Sequence, residues 1–261
     1  MRDLVSKILL YRNFAGSSII TNIANAIENC DDKDKTVSFL YAQIKEILDL
    51  STKYGFNNNL WQNYLTFLLI SDENSFSLTC ERAGAQEGSV NEFAKSDFEI
   101  FRKLFHYDFT LIEKALGIDC FSIITNYSAI SKRECVYYKN VSEIVQNLSE
   151  KLSKCESKDE FFDLVTDHYK RYGVGMFGLN KAFRLIPDTD NVELYPINNA
   201  DSVRLDDLVG YEFQKKQLVD NTRAFVLGGK GNNALLYGDS GTGKSTSIKA
   251  VLNRFWLNVI P

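Results

Sequence analysis

The sequence contains few of the residues from which many catalytic sites and metal centres are built. Histidine occurs only twice in 261 residues, at His106 and His168, and the five cysteines are scattered without a C-x-x-C pair. Neither a zinc knuckle nor a Ser-His-Asp or Cys-His arrangement is therefore indicated. Each histidine falls in an amphipathic helical segment near aromatic residues, where we predict a packed or half-exposed position. Unpaired thiols are typical of a reducing cytosol.

Long apolar runs and a strong excess of charge are also missing. No stretch approaches the ~18 apolar residues of a membrane span, and Asp3 and Lys7 interrupt the N-terminal sequence too early for a signal peptide. The formal net charge is −4 with the two signs mixed, so nothing favours nucleic acid or an anionic membrane as partner. We therefore predict a cytoplasmic protein that binds neither.

Residues 1–186 are predicted to form a helical domain without strands. In DKDKTVSFLYAQIKEILDLSTKYG the apolar residues recur every three or four positions, and Gly55 follows as a left-handed cap. NNLWQNYLTFLLIS predicts a second helix. Two S-x-x-E patterns, at Ser96–Glu99 and Ser157–Glu160, are typical of helix starts. Gly117 and Gly173 stand where those helices should end.

The segment FLLISDE, residues Phe67–Glu73, permits two interpretations. It resembles a Walker B strand, which ends in acids that hold magnesium. Alternatively it is the end of a helix followed by a capped turn, because the preceding apolar residues keep helical spacing. We favour the helix.

Two of the three prolines, Pro187 and Pro196, flank the polar segment DTDNVELY. Such composition is typical of an extended connection between domains. We therefore place a linker at 187–203 and a second domain at 204–261.

The second domain contains YGDSGTGKST, which matches the phosphate-binding pattern G-x-x-x-x-G-K-[ST]. The apolar run ALLY, residues 234–237, predicts a buried parallel strand before it, and KSTSIKAVLNRF predicts a helix after it. Another helix is predicted from Tyr211 to Leu227, ended by Gly228. A loop between a strand and a helix is the setting that this motif requires.

The residue types of the loop suit the phosphates of ATP. Its backbone N–H groups and the helix N-terminus form an anion site. Lys244 would place a cation on the β- and γ-phosphates, and the Ser245 hydroxyl would bind Mg²⁺. The predicted phosphate-binding residues are Gly238, Asp239, Ser240, Gly241, Thr242, Gly243, Lys244, Ser245 and Thr246.

The stretch from Leu205 to Leu252 resembles the AAA+ ATPase superfamily, in particular LDDLVGYEFQKKQL before the loop. The resemblance implies contacts of Val209, Gly210 and Tyr211 with adenine. LVGYEFQKKQLVDNTRAFVLGGKGNNALLYGDSGTGKS and the upstream YGVGMFGLNKAFRL look more narrowly like an uncharacterised bacterial family, domain of unknown function 815. The expected fold class is α plus α/β, a mostly helical N-terminal domain followed by the first part of a P-loop module.

The sequence departs from the AAA+ pattern after the loop. A complete module carries its Walker B acids, sensors, arginine finger and helical lid there. SIKAVLNRFWLNVIP, which follows Thr246, contains no Asp or Glu and allows a helix and one further strand, Leu257–Ile260. We therefore expect a truncated ATPase that binds ATP and Mg²⁺ with little or no hydrolysis on its own. We predict no catalytic residue.

Two other hypotheses remain open at this point. The helical domain could be a protein-interaction module, for a client or for self-association, attached to a vestigial P-loop. The chain could also be a decayed gene product.

Overall fold

The computed structural model describes residues 1–12, 18–28, 32–130, 137–187, 192–197 and 203–256. Most of these residues are helical. The helices before the sheet are α1 (Arg2–Val5), α2 (Ser18–Glu28), α3 (Lys33–Tyr54), α4 (Leu60–Ser71), α5 (Ser75–Ala83), α6 (Val90–Phe105), α7 (Thr110–Leu116), α8 (Cys120–Thr125), α9 (Lys139–Leu152), α10 (Lys158–Tyr172) and α11 (Gly175–Leu179). A small antiparallel sheet and two further helices follow.

The buried side chains of these first helices form one hydrophobic cluster. Its aromatic residues use their polar tips to join helices. The indole N–H of Trp61 in α4 donates to the carbonyl of Leu104 in α6 at 2.8 Å. The Tyr169 hydroxyl in α10 donates to the carbonyl of Leu69 in α4, also at 2.8 Å. Both of these buried donors are thereby satisfied, as the low dielectric of a core requires. The predicted helical front is confirmed from α1 through α11.

Several predicted helix ends are also confirmed. Gly55 ends α3 in the left-handed conformation, with φ 71°. The Ser157 side chain accepts the backbone N–H of Glu160 at the start of α10, which Gly173 ends. α4 runs through FLLIS to Ser71, so the helical interpretation of FLLISDE is correct. Asn74 then caps α5 in a capping box.

The predicted helix start at Ser96–Glu99 was wrong, because both residues lie inside α6. The buried face of α6 already includes Ala94 before this pattern and continues through Phe98. A continuous apolar stripe stabilises the helix across the serine. Glu99 pairs with Arg102 one turn later at 2.8 Å and does not cap a helix. Gly117 accordingly ends a different helix, α7.

The prediction that residues 1–186 contain no strand was wrong at its end. β1 (Phe183–Pro187) pairs antiparallel with β2 (Val192–Pro196), which lies within the predicted linker 187–203. Leu185 lies opposite Leu194, and the backbone N–H of Ile197 donates to the carbonyl of Ala182 at 2.8 Å. The boundary between two domains is not tested by this pairing and stays a prediction.

The remaining elements are a 3-10 turn (Leu205–Asp207), α12 (Glu212–Val226) and α13 (Lys244–Phe255). The helix predicted for 211–227 is thus confirmed to within one residue at each end. These elements share a second, smaller cluster of buried residues, composed of Leu205, Val219, Ala250, Val251 and Phe255. This cluster supports the candidate site.

Candidate phosphate-binding site

The predicted strand ALLY does not form. Residues 234–237 have no regular secondary structure, and Leu235 and Tyr237 are 85% and 88% exposed. A strand needs a neighbour for its backbone N–H and C=O groups. In the part of the chain that the structure describes, only β1 and β2 pair as strands. The other predicted strand, Leu257–Ile260, lies outside the described residues.

The phosphate-binding pattern nevertheless leads directly into a helix. Gly238, Gly241 and Gly243 have φ of 141°, 80° and 79°, a region that side chains with a Cβ rarely enter. Gly243 is the N-cap of α13, so the helix begins at Lys244. The glycines therefore allow the chain to turn sharply and present the first N–H groups of α13.

Lys244 folds back into the loop that precedes it. Its ammonium group donates to the carbonyls of Gly238 at 3.0 Å and Asp239 at 2.5 Å, and to the Thr242 hydroxyl at 3.3 Å. The Thr242 hydroxyl in turn donates to the Asp239 carbonyl at 2.9 Å. The loop thus surrounds the ammonium group of Lys244. A bound anion would have to compete with these neutral oxygens for the ammonium group, and a charged acceptor makes the stronger hydrogen bond.

The other predicted loop residues are accessible. Asp239, Ser240 and Ser245 are exposed, whereas Thr246 is half-buried. The next residue, Ser247, donates its hydroxyl to the Gly243 carbonyl at 2.9 Å. Ser245 in the first turn of α13 can therefore offer its hydroxyl to a ligand from solvent.

The turn predicted to lie near adenine is beside the loop. Gly210 and Tyr211 have φ of 82° and 56°, and Val209 is 94% exposed. A Cβ placed on Gly243 would lie 3.2 Å from the Leu208 side chain, so the residue before Val209 packs on the last loop glycine. Leu208, the neighbour of the residues predicted to lie near adenine, therefore contacts the phosphate loop at Gly243.

Two residues that hold this arrangement were missed by the sequence analysis. The Lys215 ammonium donates to the Leu208 carbonyl at 2.8 Å, and the Asn253 side chain donates to the Val203 carbonyl at 3.0 Å. The Glu212–Lys215 spacing could have indicated an ion pair on α12. Nothing in the sequence indicates which backbone carbonyls these side chains reach.

The histidines and cysteines form no second centre in the described part of the chain. His168 is buried in α10 and stacks on Tyr172, which confirms a packed position, whereas His106, predicted to be packed or half-exposed in a helix, is exposed just after α6. Burial raises the pKa of the Cys80 and Cys120 thiols to about 11, which disfavours the reactive thiolate. Among the described residues no group of three or more His, Cys, Asp or Glu could hold a metal ion.

None of the helices in the described ranges combines the length and the apolar character that a bilayer span requires.

Comparison with known proteins gave one result. Residues 179–260 match a family model described as Protein of unknown function (DUF815). No curated protein and no solved structure matched the chain. The matched range includes the hairpin, the 208–211 turn and the phosphate-binding pattern but less than half of the chain. The narrower resemblance is thus supported, and residues 179–260 are similar to the DUF815 family.

Proposed function

We propose that residues 204–261 are the N-terminal portion of an AAA+ type P-loop α/β module that binds ATP and Mg²⁺. The observation that carries this proposal is the loop 238–246, whose left-handed glycines deliver Lys244 and the free N–H groups of α13 to one place. The matched family is one of unknown function, so the match does not indicate an activity. The proposal therefore rests on the chemistry of the loop.

Different groups of the site would bind the phosphates, the Mg²⁺ ion and the base. Backbone N–H groups and the helix dipole attract the phosphates, and each exposed helix-end interaction contributes ~0.3–1 kcal/mol. Lys244 would exchange its carbonyl partners for phosphate oxygens, each charge-assisted bond contributing ~1.5–3 kcal/mol at best. The exposed Ser245 hydroxyl would hold Mg²⁺, which neutralises phosphate charge when bound. Val209, Gly210 and Tyr211 would lie on the base side.

We further propose that the chain of residues 1–261 hydrolyses ATP weakly or not at all. Phosphoryl transfer depends on groups that orient water and stabilise charge around the γ-phosphate. The loop itself contributes one carboxylate, Asp239, which is exposed. Residues 247–261 contain no Asp or Glu and so supply no Walker B pair.

A second candidate function is protein interaction through the helical front, with the P-loop vestigial. The observation that favours it is a set of exposed apolar side chains on α6, α7 and α8, namely Phe93, Leu111 and Ile123. A partner that covered these side chains would remove apolar surface from water, which favours association. A protein client or a second copy of the chain would be the partner, in the cytoplasm.

Calorimetric titration of the chain with MgATP tests the proposal. Weak binding is expected, on the order of 0.1–1 mM by the affinity scale, because the loop must be ordered against few neighbours. Lys244→Ala should weaken it at least tenfold, about 1.4 kcal/mol, whereas Lys216→Ala on the exposed face of α12 should not. Equal affinity of the two variants would contradict the proposal.

Phosphate release measured on the same three proteins tests the hydrolysis statement. All three should remain near background. Turnover near 1 per second, a value within the ordinary enzyme range of about 1–10³ per second, that Lys244→Ala abolishes would show a working ATPase.

A further inference from the structure

Lys215 is much less accessible than an ordinary helix lysine. Its side chain is 14% exposed, whereas that of its ion-pair partner Glu212 is 80% exposed. The ammonium group lies 2.6 Å from the Glu212 carboxylate and donates to the Leu208 carbonyl at 2.8 Å. A lysine withdrawn from water needs such oxygens, because an unpaired ammonium is costly to bury. Lys216, the next residue in the chain, is exposed to solvent.

The carbonyl that Lys215 binds belongs to a turn with unfavourable backbone geometry. Gly210 and Tyr211 both adopt left-handed φ, 82° and 56°. For tyrosine this conformation is strained and persists only where surrounding contacts hold it. Val209 and Tyr211 themselves are exposed, so their side chains contribute little packing. The bond from Lys215 to the Leu208 carbonyl ties the start of this turn to α12, and the backbone N–H of Lys215 donates to the Tyr211 carbonyl at its end, at 2.9 Å.

Leu208 also joins the turn to the phosphate loop, through its side chain. A Cβ on Gly243 would lie 3.2 Å from Leu208 Cδ2, so the leucine side chain covers the N-cap of α13. Three residues earlier, Leu205 is buried in the small hydrophobic cluster that also contains Val251 of α13. A continuous path of contacts therefore runs from Lys215 through Leu208 to Gly243.

We infer that Lys215 is a positioning residue that holds the 208–211 turn against the phosphate loop and sets the base side of the nucleotide site. This inference rests on the proposed function. On this inference, Lys215 is the reason that the site binds a nucleoside triphosphate more tightly than inorganic triphosphate. The Lys215 side chain itself contacts neither ligand. Lys215 acts through the Leu208 carbonyl, and the base contacts the turn.

Lys215→Met tests this role, because methionine retains the apolar stem and removes the donor. Hydrogen exchange of the nucleotide-free protein gives the first readout. The Leu208 amide, which donates to the Leu205 carbonyl at 3.3 Å, should exchange about tenfold faster, as expected when a stabilising contact of ~1.4 kcal/mol is lost. Lys215→Arg should restore slow exchange, and Lys216→Met should leave it unchanged.

The second readout is affinity for MgATP and for inorganic triphosphate, measured on each variant. Lys215→Met should remove the preference for ATP while triphosphate affinity changes less than twofold. Leu208→Ala, which breaks the path at its other end, should do the same.

The outcomes separate this inference from the function on which it rests. Unchanged exchange in Lys215→Met, or equal loss of ATP and triphosphate affinity, would overturn the role of Lys215 while the site stands. If the wild-type chain binds neither ligand, the proposed function fails, and the positioning role fails with it.

Discussion

His168 is buried in α10, with its ring centroid 4.8 Å from that of Tyr172. Burial lowers its pKa from 6.5 to about 3, and the positive charge of Lys151 adds to the effect. The folded protein thus holds this imidazole neutral at pH values where the unfolded chain protonates it. Above pH 6.5 the imidazole is neutral in both states and the stability is at its full value. As the pH falls from 6.5 towards 3, the unfolded chain binds a proton that the folded protein does not, so stability is lost.

We expect acid to destabilise the protein through this residue. Between pH 8 and pH 5 the lost free energy of unfolding should be about 2 kcal/mol, since 1.5 pH units below the unfolded pKa correspond to roughly 1.36 kcal/mol per unit. Urea unfolding at both pH values measures it. His168→Gln should abolish most of the difference. An equal loss in both proteins would show that other groups cause it.

The residue-scale features that the sequence predicts are those that depend only on neighbouring residues in the chain. Gly55 and Ser157 act within one turn of their own helix, so their roles can be predicted from neighbouring residues. Ser96 carries the same kind of pattern as Ser157, yet the buried stripe of α6 overrides it. Lys215 depends on a carbonyl across a turn, which no local pattern encodes.

At the scale of elements, α11 depends on close approach of two backbone segments. A Cβ on Gly178 would lie 2.5 Å from the carbonyl carbon and oxygen of Gly173, which ends α10. Gly175, at the start of α11, has φ 64° and lies against the Glu73 side chain. Glycine at these positions lets α11 fold back directly after α10. This return precedes the hairpin.

Gly178→Ala should therefore destabilise the helical part by about 1–3 kcal/mol, the usual cost of forcing a methyl group into packed atoms. Urea unfolding gives the difference in free energy. Gly88→Ala is the matched control, because a Cβ there meets nothing within 4 Å. If both substitutions have the same effect, the close approach to Gly173 is not what requires glycine.

The missed hairpin and the wrongly predicted ALLY strand have different physical reasons. The hairpin was missed because its strands have five residues each and end in proline, which gives little room for alternation. ALLY was predicted as a strand from its apolar run, but a strand also needs a hydrogen-bonded neighbour. That neighbour is a non-local property, which a single segment does not encode.

At the scale of the whole molecule, the buried side chains of the described ranges fall into two separate clusters, one before the hairpin and one after it. This division is compatible with the predicted boundary. Limited proteolysis tests it, because exposed connections are cut first. A stable fragment should end near residues 185–205. First cuts within residues 40–170 would place the boundary elsewhere.

The loop 238–246 is proposed to bind the phosphates of ATP. An amide-resolved NMR titration of the labelled chain with MgATP tests it most directly, because it reports both affinity and location. The largest shifts should occur at residues 241–246, with smaller ones at 208–211, and Lys244→Ala should suppress both. Shifts confined to other residues, or shifts that persist unchanged in Lys244→Ala, would contradict the account.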